Sequence, residues 1–267
     1  ANNLGAMQEY ATTPVFSQFG GYNAATINLT LSSPDPNITI YYTTNGDEPD
    51  NSSTTYSAPI NIATTTVIKA IAYSSTTNIP SSFIDFHTFF INDTHTIPIL
   101  SVSGNELSDL LAGPWPPTAA NFEPKGTIEW FDANGNLIDK GTGEYNKHGN
   151  DSWWYDQRGF DYIMRDQFGY NYALKDKLFM TKDRDKFQRI IVKAAANDNF
   201  SFEDGAHIRD SYCHHLSQLA DLRMDERSTS ACIVYRHGEC WGVYDIREKV
   251  DDHDFTDYYY DQNKNNM

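Results

Sequence analysis

Basic residues are scarce in this chain. Its 267 residues carry 20 Lys and Arg against 36 Asp and Glu, a formal net charge of −16, and residues 1–90 contain a single base, Lys69. Proteins that grip a nucleic-acid backbone do so with clustered Lys and Arg. Their absence argues against DNA or RNA as a partner, and against docking on anionic lipid. An acidic surface suits solubility, divalent cations or basic protein partners instead. Long apolar runs are missing too, and none approaches the roughly 20 residues a membrane-spanning helix needs. The first residues, ANNLGAMQEY, have neither the basic start nor the apolar core of a signal peptide. The chain is accordingly read as cytoplasmic, as a processed mature form, or as a fragment. Cysteine is rare: Cys213, Cys232 and Cys240 form no CxxC pair, which argues against zinc ribbons and thioredoxin chemistry. One disulfide among the three is open, with free buried thiols the commoner state. The phosphate-loop patterns GxGxxG and GxxxxGK[ST] are absent, as are GxSxG and HExxH.

What is present is enough apolar residue for a packed core, 39% hydrophobic with 14% aromatic, on a length that suits one or two domains. The two ends have different grammar. Residues 1–90 are rich in Ser, Thr and Asn, and period-2 alternation in ATINLTLSS, NITIYYTT and TTVIKAIAYS predicts half-buried strands. Asn45-Gly46 predicts a tight turn, and Pro34, Pro36, Pro49 and Pro59 fall at strand borders. A small antiparallel β-sandwich follows. From about residue 91 strand signals mix with helical ones. TIPILSVSGNELSDLL reads as a strand, then a helix capped by Ser103 or Asn105. PKGTIEWFDANGNLIDKGTGEYNKHG predicts a hairpin about Asn134-Gly135, RGFDYIMRDQFG a strand and turn, and FQRIIVKAA a strand. DGAHIRDSYCHHLSQLADL places Ile208, Tyr212, Leu216 and Leu219 at near-helical spacing, and SACIVYRHGECWGVYDIREK is a hairpin about His237-Gly238. Strands with helices but no regular βαβ alternation predict α+β.

The stretch ITIYYTTNGDEPDNSSTTYSAPINIATTTVIKAIAY resembles the chitobiase/β-hexosaminidase C-terminal type of β-sandwich. Tyr42, Thr43, Gly46, Pro49, Tyr56, Pro59, Ile60, Lys69, Ala70 and Ala72 carry the likeness. The resemblance implies an accessory module of an extracellular bacterial protein, a spacer or a contact to cell-wall glycan.

Three later stretches could carry chemistry. In KHGNDSWWYDQRGF, Gly149 and Ser152 flank a polar loop and Arg158 enters a strand, an arrangement able to hold phosphate. In KAAANDNFSFEDGAHIRD, Asn197 and Asp198 end a strand, with Arg209 and Asp210 near a helix start; a capped loop and a structural ion pair is the plain reading. His214 and His215 are adjacent, point apart and make a poor metal pair. In WGVYDIREKVDDHDF, strand alternation puts Tyr244, Ile246 and Glu248 on one face and turns Asp245, Arg247 and Lys249 outward. Glu248 among apolar neighbours calls for a cation or a ligand. Asp251 and Asp252 are natural caps for the next helix.

Together these stretches, over about residues 95–260, resemble the spore-coat CotH kinase family. Tyr235, Gly238, Trp241, Gly242, Tyr244, Glu248 and Asp251 match its pattern. The resemblance implies an atypical kinase-like fold that transfers the ATP γ-phosphoryl group to protein Ser or Thr with Mg or Mn, at a bacterial cell surface or outside the cell. By the same likeness Arg158 stands at a phosphate-contacting Lys position with Glu248 as its ion-pair partner, and Gly149, Ser152, Asn197 and Asp198 line the nucleotide. The family's metal-binding Asp motifs would lie after residue 267, so the chain reads as truncated and the metal ligands stay unassigned. The expectation is thus a β-sandwich over 1–90 followed by part of a mixed α+β, kinase-like domain over 91–267. The alternatives are a non-catalytic surface or matrix scaffold and a glycan-binding protein.

Overall fold

A computed structural model describes residues 10–113, 122–169, 171–199, 205–222, 224, 226–250 and 259–261. The chain divides into two compact units, one of Ala1–Thr94 with His237–Glu239 and one of His95–Arg236 with Cys240–Met267.

Among the described residues of the first unit the regular elements are all strands: β1 (Val15–Phe16), β2 (Gly21–Asn23), β3 (Ile27–Leu29), β4 (Leu31–Ser32), β5 (Ile38–Thr43), β6 (Thr54–Thr55), β7 (Ile60–Ile62), β8 (Thr66–Ser74) and β9 (Asp85–Ile91). The main sheet has the order β2-β9-β8-β5-β6, and two-stranded pairs β1-β4 and β3-β7 accompany it. Leu29, Leu31, Ile40, Ile62, Ile68 and Phe89 fill the core. The pairings match the antiparallel expectation except at one edge, where β2 runs parallel to β9. Asn45-Gly46 is no two-residue hairpin. It lies in the longer connection between β5 and β6, where Gly46 takes φ +82° and the Asn45 side chain accepts from the Asp47 N–H.

The second unit departs from the expected class. Strand makes up 41% of the described residues and helix 12%, with a closed seven-stranded barrel, so the mixed α+β, kinase-like expectation does not hold. Its strands are β10 (Ile99–Ser103), β11 (Lys125–Phe131), β12 (Leu137–Lys147), β13 (Phe160–Met164), β14 (Leu174–Lys175), β15 (Lys186–Phe187), β16 (Arg189–Lys193), β17 (Thr229–Arg236) and β18 (Glu239–Glu248). Seven of them close a barrel in the order β10-β11-β12-β13-β16-β18-β17. The seam is the parallel pair β10-β17, with Ile99 opposite Ile233. Closure leaves no exposed sheet edge. The helices are short: α1 (Leu107–Ala112) and α2 (Arg209–Leu219). Glu106, rather than Ser103 or Asn105, precedes α1, and no side chain caps that end.

Alternation explains the barrel. Leu100, Val102, Ile128, Tyr162, Ile190, Val192, Val234, Tyr244 and Ile246 form one core, which α1 joins through Leu107, Leu110 and Leu111. Tyrosines inside such a core need partners for their hydroxyls. Tyr145 donates to the Thr127 carbonyl at 2.6 Å, and the Tyr162 hydroxyl lies 2.9 Å from the Gly126 carbonyl and 3.2 Å from that of Gly141. Cys232 is buried there, while Cys213 and Cys240 are exposed; all three are free.

Tyr162→Phe keeps the ring and removes the donor that serves these carbonyls. Denaturant unfolding of the variant is expected to lose about 1 kcal/mol, the net worth of one buried hydrogen bond, with the circular dichroism of the folded state unchanged.

Candidate functional site

The three stretches singled out in the sequence meet at one end of the barrel. A single-turn 3-10 helix over Asp151–Trp154 precedes β13, and another over Ala196–Asp198 follows β16. The two turns pack together. Between them and the start of β18 lies a groove of about 600 Å³, lined by Trp154, Asp156, Gln157, Asn199, Trp241 and Gly242 among others, Asp156 being its one charged lining residue. Gln157 ties its walls together. Its amide donates to the Trp241 carbonyl at 2.6 Å and accepts from Asn199 at 2.5 Å, while Asn199 also reaches the Ala194 carbonyl at 3.1 Å.

The backbone here is under constraint. Gly242 has φ +117°, and the Gln157 side chain occupies the space a Cβ would need. Ala195 and Ala196 both take positive φ, +59° and +52°. Left-handed alanine costs about 1–2 kcal/mol per residue, and residues held this way cluster at functional sites. Trp154 is 71% exposed at the rim. Trp241 is half-buried, with the Arg236 guanidinium 3.6 Å from its ring centre.

Beside the groove, the outer face of β13, β16 and β18 carries a charge network. The pairing sets Ile191 opposite both Asp161 and Arg247, and Lys193 opposite Asp245. Asp210 of α2 comes down onto this face. Its carboxylate accepts from Lys193 at 2.5 Å and also pairs with Arg247, whose other terminal nitrogen lies 3.2 Å from Asp245. A second knot joins Asp161 to His148 at 2.7 Å and to Lys249 at 3.2 Å. Arg247 is 1% exposed and Asp245 4%, so neither is the outward, solvated charge the alternation suggested. Burial pushes Asp210 up, but the hydrogen bonds and charges of Lys193 and Arg247 outweigh it and hold the carboxyl well below the usual range. Asp161 is likewise held low, by His148 and Lys249 against burial. Burial wins at Asp245, which is raised despite Arg247.

α2 is inverted relative to an ordinary amphipathic helix. Ile208, Tyr212, Leu216 and Leu219 are exposed, while Asp210 and His214 turn toward the barrel. His214 accepts from the Arg227 N–H, and burial lowers its pKa.

The sequence-derived residues fall into separate places. Gly149, at φ +95°, lies just before the first 3-10 turn and packs against the Ser152 side chain within it. Asn197 is exposed in the second. Asp198 accepts from the Ala206 and Arg209 N–H groups and pairs with Arg209 at 3.2 Å, so it caps α2 from outside the helix. The ion pair between Arg158 and Glu248 is not formed. Arg158 is buried over the Trp153 ring and donates to the Leu110 and Gly113 carbonyls at 3.1 and 2.7 Å, closing the C-terminus of α1. Glu248 does lie among apolar neighbours and is fully buried, but its cation is Arg184, at 3.8 Å. Tyr259 donates to the same carboxylate at 2.8 Å. The caps expected at Asp251 and Asp252 lie outside the described residues.

Residues 19–83 match the chitobiase/β-hexosaminidase C-terminal domain. The match lies inside the first unit. A search of curated proteins finds no match. Among the described residues no helix is long and apolar enough to cross a membrane, and no three His, Cys, Asp or Glu side chains are gathered as a metal would require.

The site makes its own pH dependence. A carboxyl held low in the folded chain stabilises it above the ordinary Asp value of about 3.9 and loses that contribution as the pH falls through the folded value. Stability measured by denaturant is therefore expected to fall as pH drops from about 5 to 2. Asp210→Asn is expected to flatten that slope and to lower stability at neutral pH. An unchanged slope would show that Asp210 carries no net interaction.

Proposed function

We propose that the second unit binds ATP and serves transfer of its γ-phosphoryl group to Ser or Thr of surface or extracellular proteins, as the CotH resemblance implies. The observation that carries this reading is Lys193, held by Asp210 of α2 at the end of β16, the strand whose following loop brings Asn199 to the aromatic groove. Phosphoryl transfer is mainly positioning and electrostatic stabilisation of the phosphates. An ammonium held by a carboxylate at one oxygen keeps further N–H donors for phosphate. Lys193 immediately precedes Ala194, whose carbonyl holds the groove's Asn199. The exposed Trp154 and the half-buried Trp241 offer ring faces on which a purine stacks. This function is argued from the site and owes nothing to fold, since one fold hosts many activities and one activity many folds. Arg158 and Glu248 enter it as structural residues. No metal ligand set is assembled among the described residues, so Mg or Mn is assigned to no side chain.

A second reading concerns the first unit and is carried by the match to residues 19–83. The family's description names two enzymes that act on hexosamine sugars, which supports glycan contact by this unit beside whatever the second unit does.

Titration of the 267-residue chain with Mg-ATP or Mn-ATP by calorimetry tests the first reading. Lys193→Met and Trp154→Ala are each expected to weaken binding at least 10-fold, a loss of about 1.4 kcal/mol. No binding by the parent chain, or unchanged affinity in Lys193→Met, would overturn it.

A further inference from the structure

The first unit contains a cavity of about 500 Å³ lined by Tyr10, Thr12, Asp35, Asn37, Thr76 and Ile79 with three further residues. Its volume falls in the range of about 300–1,000 Å³ typical of small-ligand sites. The walls are tied rather than loose. The Ala11 N–H donates to the Pro80 carbonyl at 3.0 Å, and the Thr12 N–H donates to Asp35 Oδ2 at 3.0 Å. Tyr10 stacks on Phe83 with ring centres 5.4 Å apart and 22° between planes, yet is 53% exposed. One ring face is thus supported while much of the side chain stays open to a ligand.

The lining decides the ligand class. It contains one carboxylate and no cation, and the one base among residues 1–94, Lys69, is buried. Phosphorylated or carboxylated ligands would meet Asp35 unopposed, which favours a neutral ligand over them. An open aromatic face beside a carboxylate, an amide and hydroxyls suits a pyranose ring. The ring's C–H face packs on the tyrosine, and its hydroxyls donate to Asp35 and Asn37 or bond Thr12 and Thr76. Ala11 and Ile79 add an apolar patch of the kind an acetamido methyl takes, with Asp35 able to accept the acetamido N–H. The Thr12 hydrogen bonds keep Asp35 below the usual carboxylate range, so it accepts rather than donates at neutral pH.

We propose that this cavity binds a neutral N-acetylhexosamine glycan, with Tyr10 as the stacking platform and Asp35 and Asn37 as the polar contacts. The proposal rests on the glycan reading of the first unit and supplies its site. Titration of the full chain with the N-acetylglucosamine tetramer, followed by calorimetry and amide NMR, tests it. Tyr10→Ala and Asp35→Asn are each expected to weaken binding at least 10-fold with the unfolding midpoint retained. Phe19→Ala, which removes another exposed ring of the same unit, is expected to bind as the parent does. Binding by the parent with unchanged affinity in Tyr10→Ala and Asp35→Asn would overturn the site while leaving glycan contact standing. No binding by the parent would overturn both. Equal binding of the glucose tetramer would overturn the acetamido preference.

Discussion

A guanidinium buried to 1% exposure cannot remain unpaired, and the second unit is arranged around that constraint at Arg247. Asp245, two residues back on the same strand, supplies one carboxylate, and Asp210 supplies the other from α2. The demand therefore fixes where α2 must sit. Once α2 is fixed, Asp210 also meets Lys193, and Asp198 reaches across to the first N–H groups of the helix. The apolar stripe of α2 is turned to solvent as a result. Electrostatics has overridden the amphipathic pattern that normally orients a helix.

The aromatic groove depends on the same elements. It sits where the loop after β16, the loop before β13 and the start of β18 come together, and Gln157 bridges all three. Left-handed backbone at Ala195 and Ala196 delivers Asn199 to that bridge, and Gly242 makes room for it. The groove joins this strained loop to an exposed Trp154 and a half-buried Trp241, and the strand before the loop ends in Lys193, which Asp210 holds.

Much of this was legible from residues alone, and the failures have physical causes. Period-2 alternation located β5, β8, β16 and β18, and it correctly put Glu248 on the apolar face. It could not reveal barrel closure, because the seam joins Ile99 to Ile233 and no local pattern records a pairing so distant in sequence. Two genuine but short helices were then read as evidence for a mixed class. The charge network was missed for a related reason. Asp161, Lys193 and Arg247 each look like an outward surface charge on its own strand, and only the order β13-β16-β18 makes them neighbours. Arg158 was expected to pair with Glu248, where Arg184 stands instead, because α1's open C-terminus, which Arg158 closes, leaves no mark in the sequence.

The central claim is that ligand binding in the second unit is located at Lys193 and the Trp154–Trp241 groove, away from the Arg184–Glu248 pair. Amide NMR of the intact chain with and without Mg-ATP locates the ligand directly. Shifts concentrated at Lys193, Ala194, Asn199, Trp154 and Gly242 are the predicted result. Shifts confined to Arg158, Arg184 and Glu248, or no shifts in the second unit at all, would contradict it.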